Sequence, residues 1–238
     1  MFKTPTLREM LAAGVHFGHK RARWNPKMAP YIFTTKNGVS IIDLEKTREK
    51  LEIALGAITD EIKVGKNVVF VTSKRQAREV VKDAAKFCNM PYVVEKWRGG
   101  TLTNYGIVSE NFKTLKKLKD QIASADFSKI SNIEQNQVKE KMEKIERIFG
   151  GLAELKKKPD ILFLIGAYDE KIALKEAKKE GVKTVALIDT NANPEEVDWP
   201  IPANDDATKA IKLMVDTFAK AIKEVKPRPE NKDQEESK

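Results

Sequence analysis

The chain has 238 residues, 41% of them hydrophobic and 33% charged, and its 44 Lys and Arg outnumber 35 Asp and Glu for a net charge of +9. That length holds one large domain, or one domain with an insertion, and the excess positive charge favours polyanionic partners. The longest uninterrupted apolar run, ILFLI from Ile161, falls far short of the ~20 residues of a spanning helix, and MFKTPTLREM has no signal-peptide apolar segment. With one cysteine and no disulfide pair, the expected compartment is the cytoplasm.

In chain order, TLREMLAA reads as a short helix stopped by Gly14. The next stretch, GVHFGHKRARWNPKM, reads as a basic loop in which Lys20, Arg21, Arg23 and Lys27 surround Trp24. Pro26 and Pro30 are expected to keep it extended. YIFTTKNGVSIID reads as a strand pair turned at Asn37–Gly38, and LEKTREKLEIALGAITDEIKVG as a long helix. NVVFVTS (67–73) reads as a buried strand, RQAREVVKDAAKFC as a helix burying Ala77, Val80, Val81, Ala84 and Ala85, and YVVEKW (92–97) as the next strand. Cys88, at that helix's end, reads as a small buried hydrophobe.

From Ile107 to Lys158 the rhythm changes. Val108, Phe112, Leu115 and Ile122 form one seam, and Val138, Met142, Ile145, Phe149 and Leu152 form a second. The second seam alternates spacings of four and three, the pattern of helices wound together, so an antiparallel helical hairpin is expected. DILFLIG (160–166) and KTVALID (183–189) then read as strands, separated by a helix that Gly181 closes, and a last helix begins near Asp206.

β-Branched runs alternating with helices imply parallel strands covered on both faces, hence a doubly wound α/β fold. The expected division is a basic N-terminal arm with a short helix over 1–36, and an α/β core over 37–106 and 159–225. A protruding hairpin takes 107–158, and KPRPENKDQEESK (226–238) is a disordered tail.

Charge is unevenly spread. Residues 1–36 carry Lys3, Arg8, Lys20, Arg21, Arg23, Lys27 and Lys36 against Glu9 alone, whereas residues 160–206 carry five lysines against eleven acids. The basic end suits phosphates and the acidic half suits a cation or a basic protein.

Three chemistries compete for the GVHFGHK stretch. A nucleoside-triphosphate loop needs G-x-x-x-x-G-K-[ST] between strand and helix; here three residues separate Gly14 from Gly18, His19 precedes Lys20, and Arg21 replaces the hydroxyl. A metal site at His16 and His19 lacks a third histidine and would need distant carboxylates, with packed histidines as the plainer reading. Cations around an aromatic suit RNA: they neutralise phosphates while Trp24 stacks on a base or anchors the loop. The second unusual stretch, EKWRGGTLTNY, follows a strand, as ligand-binding loops do in such sheets, but G-x-G-x-x-G is absent there and after the first strand.

GVHFGHK, WNPKM, IIDLEKT, WRGGTLTN and LIDTNANP together resemble the bacterial S-two family, the second protein of the small ribosomal subunit, over roughly residues 5 to 225. The resemblance implies a flavodoxin-like α/β core with a protruding coiled-coil hairpin, no catalysis and no cofactor. It also implies a late-joining, cytoplasmic ribosomal component between head and body that binds 16S rRNA and neighbouring proteins, and helps dock the large mRNA-binding protein number one. Carried onto this chain, the rRNA-binding residues are Lys20, Arg21, Arg23, Trp24, Lys27 and Lys36, with Lys74, Arg75 and Arg98 at loops after strands. Asp189 and Asp205 are the positions for a cation, set against simple capping of the last helix by Asp205 or Asp206. Thr72 and Gly166 depart from the family pattern, which often has glycine at the first and an acid at the second. Two other readings predict binding or activity by the free protein: an enzyme for a small phosphorylated ligand, which would need a glycine-rich phosphate turn and convergent acid–base residues that the sequence lacks, and an RNA-binding regulator acting off the ribosome.

Overall fold

The structure, a computed structural model, describes residues 3–225. The expected tail at 226–238 lies outside the described residues.

The first helix, α1 (Leu7–Ala13), is fixed at both ends by local chemistry. Thr6 Oγ1 accepts from the Glu9 N–H while the Glu9 carboxylate accepts from the Thr6 N–H, and Gly14 ends the helix at φ 76°. Three short strands follow, β1 (Phe17–Lys20), β2 (Ile32–Lys36) and β3 (Val39–Ile42), which form an antiparallel sheet in the order β1-β3-β2. Asn37 and Gly38 take φ values of 50° and 75°, the left-handed pair that a two-residue hairpin requires.

Asp43 caps α2 (Leu44–Lys63), after which the chain alternates: β4 (Val68–Val71), α3 (Arg78–Phe87), β5 (Tyr92–Val93). Two longer helices interrupt, α4 (Tyr105–Ala123) and α5 (Asn132–Phe149). The alternation resumes with β6 (Ile161–Ile165), α6 (Lys171–Glu180), β7 (Lys183–Ile188), β8 (Trp199–Pro202) and α7 (Thr208–Val225). The five later strands are all parallel, in the order β5-β4-β6-β7-β8. This is the doubly wound order of a flavodoxin-like sheet, with its switch point between β4 and β6.

Alternate residues of each strand enter different cores. Val68, Phe70, Ile161, Phe163, Ile165, Val185 and Leu187 pack beneath α1, α2, α3 and α7, where the Phe163 ring lies 4.4 Å from Phe218 and 5.2 Å from Phe70. Val69, Val71, Leu162, Leu164, Ala186 and Ile188 face the other way, against α6, the start of α4, Trp97 and Met28. Cys88 is buried in the first core, as expected. On α4, Val108, Phe112, Leu115 and Leu118 are buried. Phe112 lies 6.1 Å from Phe149, and Lys119 reaches Glu146 at 2.6 Å, so α4 and α5 run antiparallel along one another.

Four local expectations are corrected. The segment containing Pro26 and Pro30 is not extended but coiled into 3-10 turns over Pro26–Tyr31, with Asn25 capping them through the Lys27 N–H at 3.0 Å. The strand expected to reach Trp97 stops at Val93: Glu95 turns aside to pair with Arg78 at 2.9 Å, and Trp97 drops into the second core. β8 is an addition to the expected strands, because prolines 200 and 202 argue against one there. It survives as the sheet's edge, where the missing N–H groups are tolerated, and the Thr47 hydroxyl of α2 donates to the Pro202 carbonyl at 2.7 Å. The last helix begins at Thr208, two residues beyond Asp206, after a turn in which the Asn204 side chain accepts from the N–H groups of Asp206 and Ala207.

Candidate nucleic-acid interface

The GVHFGHK stretch is fastened across the carboxyl ends of the parallel strands. The Asn204 N–H donates to the Val15 carbonyl at 2.9 Å and the Asn204 side chain donates to the Gly14 carbonyl at 3.0 Å. The His19 N–H donates to Thr190 Oγ1 at 2.8 Å, and the Asn25 N–H to the Thr190 carbonyl at 2.7 Å. Gly18 is required by proximity: a Cβ there would lie 2.5 Å from Thr190 Cγ2 and 3.0 Å from the Ser40 carbonyl oxygen. The first glycine thus stops a helix and the second admits Thr190.

This fastening directs the cations outward. Lys20 on β1 and Lys36 on β2 both pair in register with Val39, one from each side, so their side chains leave the same face of the small sheet. The Arg21 N–H donates to the Gly38 carbonyl at 2.9 Å, bringing Arg21 to the same hairpin end. Lys20, Arg21, Arg23, Lys27 and Lys36 are all exposed. Trp24 is half-buried, with the Arg21 guanidinium 5.9 Å from its ring centre, and Lys27 pairs with Glu195. Arg75 and Arg98 are exposed at loops after β4 and β5, apart from that cluster.

Lys74 is placed differently from the expected phosphate-binding lysine. Its side chain is 9% exposed, and its ammonium lies 2.5 Å from Asp205, 2.7 Å from Asp206 and 3.3 Å from Asp169. Burial works to lower its pKa, but Asp205 and Asp206 outweigh it and hold the group protonated. Asp205 is fully buried, and burial, with Asp189 and Asp206 nearby, outweighs Lys74 and pushes its pKa up. Gly166, at φ 95°, leaves room for this lysine: a Cβ there would lie 2.6 Å from Lys74 Cε.

The acidic cluster continues to His19. Its Nδ1 lies 3.0 Å from Asp189 Oδ1 and its Nε2 lies 3.4 Å from Asp206 Oδ2. The Asp189 hydrogen bond raises its pKa, against burial, and the ring, once protonated, bridges two carboxylates. The ligand atoms of His19, Asp189 and Asp206 lie within 4.8 Å of one another. Of the two aspartates expected to share a cation, only Asp189 belongs to that trio, because Asp205 is taken up by Lys74. His16, lowered by burial, has no such partner set.

Glu176 closes the glycine loop of WRGGTLTN. Its carboxylate, on α6, accepts from the N–H groups of Gly100 at 2.6 Å and Leu102 at 2.8 Å. The donors that would cradle a phosphate there are satisfied by the protein's own anion. Sequence reasoning passed over Glu176, named Asp206 only as a helix cap and missed the bridging role of His19, since each depends on a partner more than 70 residues away. Glu170, 2% exposed, has its pKa raised by burial against hydrogen bonds from Ser73.

The described residues include no helix long and apolar enough to cross a membrane. A family model described as ribosomal protein S2 matches residues 10–225. Small ribosomal subunit protein uS2 of Coprothermobacter proteolyticus is 45% identical over 219 residues, covering 92% of this chain and 82% of its own. The protein of the same name from Dehalococcoides mccartyi is 43% identical over 219 residues, covering 92% and 89%. That of Amoebophilus asiaticus is 43% identical over 221 residues, covering 93% and 71%. The match spans both the small sheet that carries the basic cluster and the parallel sheet that anchors it, and the chain belongs to the ribosomal protein S2 family, a structural, non-enzymatic component of the small ribosomal subunit.

Proposed function

We propose that this chain holds 16S rRNA through the exposed cations Lys20, Arg21, Arg23, Lys27 and Lys36, with Trp24 beside them and Arg75 and Arg98 as outlying phosphate contacts. One observation carries the reading: the cations leave a backbone that is hydrogen-bonded to the rigid sheet at Thr190 and Asn204, so the charge is presented in a fixed place. Fixed cations neutralise phosphates without first losing the conformational freedom of a loose arm. Lys74 does not join them, since its charge is already met by carboxylates.

The remaining parts follow from charge and shape. The α4–α5 pair serves as a coiled-coil hairpin projecting from the core, and the acidic carboxyl half faces neighbouring ribosomal proteins, among them the large mRNA-binding protein number one. His19, Asp189 and Asp206 are the place where a cation would substitute for the imidazolium proton.

The test is charge reversal at Arg21, Arg23 and Lys27 together, with sucrose-gradient sedimentation of lysate across a salt series. The altered chain should leave the small subunit at lower salt, and its binding should depend less steeply on salt. Each phosphate that is no longer neutralised should flatten the logarithmic slope by about 0.7 to 0.9. An unchanged slope would overturn the clamp.

A further inference from the structure

The parallel sheet ends at β5, and the two faces beside that edge carry different neighbours. On one, α3 buries Val81, Ala84 and Ala85 in the first core; on the other, the turn that ends α5 buries Leu152 in the second. A groove crosses the strand edge between them. It is made of two cavities, of about 490 and 870 Å³, that share Lys86, Tyr92, Gly150 and Gly151 in their walls.

The walls are basic. Arg78, Lys82 and Lys86 recur every fourth residue and form one row along α3 with steps of about 6 Å. Arg147 lines the same cavity from the end of α5, and Lys119, Lys156 and Lys157 line the larger one. Four acids lie among these seven cations, Glu79, Glu95, Glu146 and Glu154. Two of them are already matched, Glu95 by Arg78 at 2.9 Å and Glu146 by Lys119 at 2.6 Å. Lys82, Lys86, Arg147 and Lys156 have no ion pair among the described residues, and all but the half-buried Lys82 are exposed.

Two features argue against a peptide as the occupant. Strand addition needs an open backbone edge, yet Gly151 lies so close to β5 that a Cβ on it would be 2.2 Å from the Tyr92 carbonyl oxygen. A protein partner also needs apolar anchors, and none of the exposed large hydrophobics among the described residues lines either cavity. A row of unmatched cations beside a half-buried tyrosine is instead the equipment that tracks a phosphodiester chain.

We propose that this groove holds a second segment of RNA backbone, with phosphates along Lys82, Lys86 and Arg147 and a ribose or base against Tyr92. The basic cluster on the small sheet is anchored after β7 and β8, three to four strand spacings away, roughly 14–19 Å. One chain thereby ties two RNA segments together, and each contact raises the local concentration of the other. The inference rests on RNA as the partner, as proposed above, but uses none of the residues of that clamp.

The test is hydroxyl-radical cleavage from an iron chelate tethered to single cysteines, in full chains assembled into small subunits, with the native thiol removed by Cys88→Ala. Glu79→Cys places the chelate in the groove and Thr35→Cys places it beside Lys36, and neither removes a cation. The two positions should cut RNA at different nucleotides. Charge reversal at Lys82, Lys86 and Arg147 together should abolish the cuts from Glu79→Cys, keep those from Thr35→Cys, and flatten the logarithmic salt slope of subunit association by about 2 to 3. The neutral set Lys82→Gln, Lys86→Gln and Arg147→Gln should show the same losses with unchanged thermal melting, so that misfolding cannot stand in for them. Cuts from Thr35→Cys alone would overturn the groove and leave the clamp, whereas cuts from Glu79→Cys alone would keep the groove and overturn the clamp. Cleavage of a neighbouring protein but no RNA from Glu79→Cys would make the occupant an acidic protein and overturn the proposal. Groove cuts that survive the charge reversal would overturn it as well.

Discussion

Gly18 and Thr190 touch where the two sheets meet. The backbone of one lies against the methyl and hydroxyl of the other, and the same hydroxyl accepts the N–H of His19 at 2.8 Å. Gly18→Ala should therefore separate the basic segment from the parallel sheet without removing a single charge. Overpacking of this kind costs about 1–3 kcal/mol. Thermal unfolding should show the loss, and subunit association should weaken although every cation remains. Thr190→Ser, which keeps the hydroxyl and relieves the methyl contact, should restore part of the stability when combined with it.

The His19 bridge makes the same junction depend on pH. A histidine whose pKa is raised in the folded protein stabilises it fully below the unfolded value of about 6.5, and that contribution fades as pH climbs through the folded value. His16 acts oppositely: lowered by burial, it penalises folding as pH falls below about 6.5. Stability measured by denaturant melts from pH 6 to 8 should fall with rising pH in the native chain, and His19→Gln should lessen that fall, leaving the share contributed by Asp205, whose pKa burial also raises. A native-like pH profile in His19→Gln would show that the bridge contributes nothing.

Lys74 holds a more deeply placed charge. Removing its ammonium leaves Asp205, fully buried, facing Asp206 and Asp189 without a counter-charge. Lys74→Met keeps the length and should destabilise by about 3–5 kcal/mol, the usual cost of breaking a buried pair from one side. Asp205→Asn in the same chain should recover part of it. If Lys74→Met weakened RNA binding while stability stayed level, the lysine would belong with the phosphate contacts after all.

Gly151 is a second point of enforced proximity. A Cβ there would lie 2.2 Å from the Tyr92 carbonyl oxygen, a backbone atom of the edge strand β5. Gly151→Ala should lower the melting temperature more than Gly150→Ala, whose nearest neighbour is the flexible Glu146 side chain at 3.0 Å. Equal shifts would mean that the turn yields easily.

Lys20 and Lys36 test whether the shared register with Val39 matters. Each single charge reversal should lower subunit association, and the double change should also flatten the salt dependence by the equivalent of about two phosphates. Arg75 and Arg98, outside the cluster, should each give a smaller effect in the same sedimentation experiment.

Much of the parallel sheet could be read from the chain because buried parallel strands are nearly continuous apolar runs, as in VVFV, ILFLI and KTVALI. β8 escaped because the residues that make it tolerable at an edge are the same prolines that argue against a strand. The cations around Trp24 were legible as a local cluster, since charge density needs no partner to be noticed. Lys74 was not: it lies in a basic TSKRQA stretch, and only residues 131 and 132 positions later reveal that its charge is spoken for. Glu176 was hidden for the same reason, being an unremarkable helical acid until α6 packs beside the glycine loop.

The separation between His19 and Thr190, 171 residues along the chain, also sets an order of events during synthesis. The basic segment leaves the ribosome first, yet Thr190 and Asn204, which fix its path, are among the last core residues made. A nascent or truncated chain therefore displays its positive charges on a small sheet that is not yet fastened to the parallel one. Such long-range closure is a late step in folding. Maturation of the RNA-facing surface is thereby tied to completion of the whole core, so an unfinished chain would compete poorly for a place in a growing particle.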